Sequence, residues 1–265
     1  MIITGASGFL GKQVLQGLVL SSTVSEVHCI AVRSQTSMEK LEAIGSPKII
    51  VHTGDLALLR LGLDITTARS LASKAIIVHN GADVSFLKSY SSLKKTNVGS
   101  TVRLVHLAKP RRIPIHLVSS AGVAGFVPRN ELLLREVGVA AYPPPRGSST
   151  HRYQIAKWVS ECLLGRENQQ YGLDIVLHRL TSIVGEGAPD ADILDNLLHY
   201  SRQIGLAPDM DSWDGYLYYT SLNLLCTVGT SRESILKEAG GLLHQISTIR
   251  SITHIVVPWL RGVYS

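Results

Sequence analysis

A chain of 265 residues, 45% of them hydrophobic, has material for one large α/β domain or one domain with a small appendage. Mean hydropathy is +0.18, yet no apolar run reaches the ~20 residues that span a bilayer, and no basic stretch followed by an apolar core marks a signal peptide. A net charge of +6 fits either an ordinary basic surface or attraction to polyanions, such as a phosphorylated cofactor or an acidic partner, and no aromatic-rich Lys/Arg cluster points to nucleic acid.

The chain opens on a short apolar strand, residues 1–3. Thr4-Gly5-Ala6-Ser7-Gly8-Phe9-Leu10-Gly11 follows, and then an amphipathic run over 12–20. Three glycines at this spacing, between a strand and a helix, describe a dinucleotide-binding turn. Gly5 permits the tight turn, Gly8 lets backbone N–H groups approach a pyrophosphate, and Gly11 lets the helix pack against the strand. The helix N-terminus adds unpaired N–H groups and the positive end of its dipole. Strand-like runs recur at 27–32, 48–52, 75–79, 115–119 and 173–178. Continuous β-branched runs of this kind suit a parallel sheet covered on both faces. Helical periodicity occupies 98–107 and 153–164. The alternation predicts an α/β fold, a doubly wound parallel sheet of Rossmann type. The irregular loop Ala141-Tyr142-Pro143-Pro144-Pro145-Arg146-Gly147 stiffens the approach to the 153–164 helix. Beyond Gly185 the strand rhythm fades, and 192–204 reads as helix. The division that results is a dinucleotide-binding domain over 1–184 and a small, truncated substrate-side lobe over 185–265.

Tyr153 and Lys157 stand at i and i+4, on one helix face. A phenol near pKa ~10 is a poor acid or base at neutral pH, and a neighbouring ammonium is expected to lower it. Ser119-Ser120 ends the fifth strand, at the sheet edge where doubly wound folds place ligands. A hydroxyl there holds a carbonyl oxygen beside Tyr153. In an arbitrary protein a Tyr-x-x-x-Lys pair is an exposed helix face; behind a glycine loop and a strand-end serine it reads as catalytic. Arg33 closes the second strand, where an acid normally meets a ribose 2′-hydroxyl. A guanidinium there pairs with a 2′-phosphate, so NADP(H) is expected over NAD(H).

The arrangement resembles the extended short-chain dehydrogenase/reductase family. Residues 4–11 look like its cofactor loop, Gly54-Asp55-Leu56 like its adenine-contacting strand end, and His79-Asn80-Gly81-Ala82 like the loop under the diphosphate and ribose. Asn97-Val98-Gly99-Ser100-Thr101 matches the helix bearing its structural Asn, while Ser120, Tyr153 and Lys157 align with its catalytic triad. The resemblance implies that Lys157 bonds the nicotinamide ribose as well as tuning the phenol. A narrower resemblance rests on His79-Asn80-Gly81-Ala82-Asp83-Val84-Ser85-Phe86, on residues 139–145, on Lys157-Trp158-Val159-Ser160-Glu161, on 171–179 and on Leu194-Asp195-Asn196-Leu197-Leu198. These look like the thioester-reductase domains that terminate fungal hybrid polyketide synthase–nonribosomal peptide synthetases. Such a domain implies an NADPH-dependent reductase releasing an acyl or peptidyl thioester from a carrier protein's phosphopantetheine arm, as aldehyde or alcohol. A redox-independent Dieckmann cyclase yielding a tetramic acid and an inactive cofactor-binding remnant are the alternatives. This chain departs from the family at Arg152, Ala156 and Leu180, where Gly, Ser and Pro are usual.

Cys29, Cys162 and Cys226 are widely spaced and lack a C-x-x-C arrangement, which points to core thiols in a reducing, cytoplasmic setting. The histidines form no H-x-x-x-H or H-E-x-x-H pattern, so no metal is expected. His79, His116 and His178 read as packed core residues, Trp158 as helix packing, and 213–216 as either a cleft wall or a turn.

Overall fold

A computed structural model describes residues 1–85, 87–126, 138–141, 152–184, 193–206 and 219–221. Phe86, the 142–147 loop, Asp192, residues 213–216 and Cys226 lie outside them. Six strands, β1 (Ile2–Thr4), β2 (Val27–Val32), β3 (Ile49–Thr53), β4 (Ile77–His79), β5 (Ile115–Ser120) and β6 (Ile175–Leu180), form a parallel sheet in the order β3-β2-β1-β4-β5-β6. Successive side chains on a strand point to opposite faces, and both faces are apolar here. Ile2, Ile77, Ile115 and Leu117 join one core cluster, while Ile3, Val78 and Val118 join the other. Helix α1 (Phe9–Leu20) covers the second face through Leu10, Val14, Leu15 and Leu18, helped by Leu41 of α2 (Gln35–Glu42). The first face is covered by α3 (Ile65–Leu71), α4 (Tyr90–Ala108) and α5 (Arg152–Tyr171), through Leu71, Leu104, Val105, Ala108 and Leu164.

The sheet is the expected doubly wound one, and two of its helices are additions to the sequence reading. Helices α2 and α3 each bury one residue, Leu41 and Leu71, so neither has an apolar stripe to announce it. Each starts on a side-chain cap: Ser34 accepts the Ser37 N–H and Asp64 the Thr67 N–H. Helix α4 starts well before residue 98, where Ser89 caps a polar first turn by accepting the Ser92 N–H. A shorter parallel pair, β7 (Ser182–Val184) with β8 (Tyr219–Ser221), shows strand structure beyond Gly185 among the described residues. Helix α6 (Ile193–Ile204) matches the predicted helix there. Among the described residues no helix is long and apolar enough to cross a membrane.

Strand order reverses between β1 and β4, so the chain leaves these neighbours in opposite directions and opens a crevice at their C-terminal ends. Thr4, His79 and Ser120 end their strands on that edge.

Candidate functional site

At the end of β1 the backbone turns through Gly5, whose φ of +67° lies in the left-handed region that favours glycine. The turn is tight: the Gly8 N–H donates to the Gly5 carbonyl at 3.1 Å. A Cβ on Gly5 would stand 2.5 Å from the Gly81 Cα, and one on Gly11 would stand 1.9 Å from the Gly5 carbonyl oxygen. The β1 and β4 loops therefore touch backbone to backbone, and α1 begins directly against them. Gly8 stands at the helix N-cap and has no side chain to occupy the first turn. This leaves the first N–H groups of α1 available to an anion. A cradle that any side chain would fill, facing a helix N-terminus, fits the diphosphate of a dinucleotide.

Polar side chains brace the cradle from below. Asn80 Nδ2 donates to the Gly5 carbonyl at 3.1 Å, and the Gly81 N–H donates to Thr4 Oγ1 at 2.9 Å. Thr4 Oγ1 lies 2.8 Å from His79 Nδ1, and His79 Nε2 lies 2.9 Å from Ser100 Oγ, which donates to the Asn97 carbonyl. Each proton has one acceptor in this chain if His79 carries its proton on Nε2. Burial pushes His79 down to about 3, with the Lys157 charge acting the same way, so the ring is neutral. His79 is buried as expected of a core residue, but it serves as a polar bridge from the β1 end to α4. Asn97 clamps the following loop, accepting the Asp83 N–H at 2.8 Å and donating to the Asp83 carbonyl at 2.9 Å. Leu56 approaches the same cradle, its Cδ1 3.0 Å from where a Gly81 Cβ would stand.

Arg33 lies beyond the C-terminal end of β2, its side chain 81% exposed and its Nη1 3.7 Å from Asp55 Oδ2. Asp55 also accepts the Ala57 N–H at 2.7 Å. An exposed pair of this length holds the guanidinium weakly, leaving it free to meet a second anion.

On the far side of the cradle, Ser120 is the last residue of β5, and its Oγ accepts the Gly122 N–H at 3.1 Å. A Cβ on Gly122 would stand 2.7 Å from Gln154 Cγ and 3.2 Å from Ser120 Oγ, so the start of α5 lies against the Ser120 turn. Tyr153 occupies that start, and Lys157 follows one turn later with its Nζ 5.6 Å from the Tyr153 ring centroid. The ammonium donates to the Val118 carbonyl at 2.6 Å. Burial raises the Tyr153 phenol above its usual range and pulls Lys157 down to about 8, partly offset by Glu161. The expectation that Lys157 lowers the phenol does not hold in this geometry. Desolvation outweighs an ammonium that is aimed at a backbone carbonyl.

Three further features were missing from the sequence reading: the His79 bridge, the approach of Thr101 Oγ1 to Ser160 Oγ at 3.3 Å between α4 and α5, and a buried carboxylate at Glu161. Glu161 ends the stretch Lys157-Trp158-Val159-Ser160-Glu161, and its i+4 spacing from Lys157 is the signal the sequence offers.

A parallel sheet of this order with a glycine cradle at its switch point defines a dinucleotide-binding domain of the short-chain dehydrogenase/reductase class. The chain belongs to the Male sterility protein family of NAD-binding domains, whose profile matches residues 3–225. It is 43% identical over 223 residues to the hybrid PKS-NRPS synthetase gkaA of Penicillium citrinum, covering 84% of this chain and 6% of that protein. To the hybrid PKS-NRPS synthetase pydA of an Acremonium species it is 47% identical over 219 residues, 82% of this chain and 5% of that one. The chain thus spans a small fraction of the curated relatives it matches. Among solved structures, the terminal R domain of the myxalamid PKS-NRPS pathway superposes with a TM-score of 0.67 at 30% identity, over 84% of this chain and 59% of that one. The PhqB reductase domain of Penicillium fellutanum shares the fold, with a TM-score of 0.67 at 20% identity over 94% of this chain and 64% of that one. Family and relatives make this an NAD(P)-binding domain of oxidoreductase type, similar to the reductase domains of PKS-NRPS systems.

Proposed function

We propose that the chain is an NADPH-dependent reductase that releases an acyl or peptidyl thioester from a carrier protein's phosphopantetheine arm, as aldehyde or alcohol. In this reading residues 1–184 hold the cofactor and 185–265 form the substrate-side lobe. The observation that carries it is the backbone cradle of Gly5, Gly11 and Gly81, on the same sheet edge as Ser120 and the Tyr153–Lys157 helix. Residues 4–11 and 80–82 take the diphosphate and adjoining ribose, Asp55 and Leu56 flank the adenine, and Asn97 keeps the 80–85 loop in place. Arg33 meets the 2′-phosphate. When bound, the cofactor supplies the hydride for the thioester carbonyl carbon.

Ser120 holds the carbonyl oxygen, and Tyr153 gives its proton to the oxyanion that develops there. A phenol kept protonated by burial is suited to that task. Lys157 supports the cofactor ribose and recharges the phenol. The hemithioacetal so formed breaks its C–S bond, releasing aldehyde and carrier thiol.

The test is a single-turnover assay with an acyl-aminoacyl pantetheine thioester and NADPH. Loss of NADPH absorbance is the expected result, one NADPH oxidised per aldehyde released or two per alcohol. A tetramic acid formed without NADPH consumption overturns the reading.

A further inference from the structure

Beside the Ser120–Tyr153–Lys157 set, on the same elements, lies a carboxylate with no solvent exposure. The Glu161 side chain is 0% exposed, and it receives the Ser119 hydroxyl at 2.5 Å. Arg179 grips it in a fork, Nη2 to Oε2 at 2.7 Å and Nε to Oε2 at 3.1 Å. Ser119 and Arg179 face each other across the β5–β6 register, so the carboxylate pins α5 to both strands. It also stands one turn beyond Lys157 on α5, whose Nζ donates to the carbonyl of Val118. Helix α5 is therefore fastened to two consecutive residues of β5, Val118 and Ser119, and the next residue along the strand is Ser120.

We infer that Glu161 is a positioning residue of the reductase site, setting through Ser119 and Arg179 how the Tyr153–Lys157 face of α5 meets Ser120, and holding charge beside Lys157. The inference rests on the reductase reading above. Two cations stand near this carboxylate: the half-buried Arg179 side chain, 13% exposed, pairs with it directly, while Lys157, 3% exposed, lies one turn away on α5 and feels its charge. A buried pair that served stability alone is replaceable by apolar residues of similar volume without loss. A pair that also fixes the charge and place of a catalytic lysine is not. Burial draws Lys157 down, and Glu161 is the charge that acts against it.

The test follows Lys157 directly. In cofactor-free protein carrying ¹³Cε-labelled lysine, the Lys157 resonance is assigned by its loss in Lys157→Arg and titrated with pH. Glu161→Gln is expected to lower the Lys157 midpoint by about one unit, whereas Arg179→Gln, which frees the carboxylate for the lysine, raises it. In the thioester assay, kcat of Glu161→Gln falls about tenfold or more, while KM for the thioester changes by less than about threefold. A folded Glu161→Gln with an unmoved midpoint and wild-type kcat overturns the inference. If Glu161→Gln gives no cooperative melt, Arg179→Gln decides: an upward move supports the coupling and an unmoved midpoint overturns it. Wild-type protein that consumes no NADPH removes the reductase reading, and the lysine midpoints then still decide whether Glu161 holds the lysine's charge.

Discussion

Two side chains one helical turn apart are driven by burial to opposite ends of their usual ranges: Tyr153 upward, Lys157 downward to about 8. Tyr153 therefore keeps its proton at neutral pH, and Lys157 keeps its charge only below about pH 8. Since the ammonium form serves the cofactor ribose and the phenol, kcat/KM is expected to fall as pH rises through about 8 in a pH–rate profile of the free enzyme. Tyr153→Phe is expected to cost ~10²–10⁴-fold in kcat with cofactor affinity unchanged, because the phenol acts in proton transfer alone. Lys157→Ala loses both. Fluorescence titration of NADPH separates the two variants, and a fully active Tyr153→Phe would remove the assignment. The cradle gives a steric prediction at the same scale. In Gly11→Ala the added carbon meets the Gly5 carbonyl at 1.9 Å, a backbone atom with no room to retreat. The loop must open, at a cost of about 1–3 kcal/mol as for other overpacked sites. Melting with and without NADPH should show a lower Tm and no rise on adding cofactor; an undiminished cofactor-induced rise contradicts the close packing.

At the scale of elements, whatever advertises itself by hydropathy was legible, and whatever rests on polar pairing was not. Strand β2 stands where its run of β-branched residues placed it, at Val27–Val32. Helix α1 reaches back into the glycine loop as far as Phe9 because the loop supplies the carbonyls its first bonds need, the Gly8 carbonyl accepting the Lys12 N–H at 2.9 Å. Helices α2 and α3 escaped notice because Leu41 and Leu71 are their only buried residues, and their caps, Ser34 and Asp64, are common residue types. Pairings such as Glu161 with Arg179, or His79 between Thr4 and Ser100, join residues far apart in the chain that only the finished sheet brings together. Asn97 lies between these cases: resemblance named it, and the fold shows its two hydrogen bonds to the Asp83 backbone. Asn97→Ala leaves both of those groups without the partner they have now. A loss of about 1–3 kcal/mol is expected in denaturant unfolding, with faster hydrogen exchange confined to the 80–85 loop. Exchange that rises equally throughout the sheet would show that the clamp has no local role.

The molecule as a whole wraps its polar machinery in two apolar layers, and this decides how it responds to acid. Burial lowers His79 to about 3, and it also lowers His116 and His52 from the ordinary value of 6.5. A histidine whose folded pKa lies below its unfolded one binds its proton more readily in the unfolded chain. Its contribution to stability is therefore complete above pH 6.5 and is lost as pH falls toward the folded value, about 3 for His79. Asp64 and Asp83, held below the usual carboxylate value of 3.8 chiefly by the Thr67 hydroxyl and, against burial, by Lys88, act in the same direction at lower pH. Acid destabilisation should consequently begin near pH 6, well before carboxylates titrate. Each such histidine contributes a slope of at most about 1.4 kcal/mol per pH unit inside its window. His79 is the most deeply placed of them, at the junction of the cofactor loop, β4 and α4. His79→Gln keeps a donor and an acceptor between Thr4 and Ser100 but cannot take up a proton. Its free energy of unfolding, measured in urea at pH values from 7 to 4, should lie below wild type at pH 7 and approach it on acidification, because the variant's slope lacks one histidine. Parallel curves across that range would mean that the His79 ring titrates alike in the folded and unfolded chains, contrary to its burial between Thr4 and Ser100.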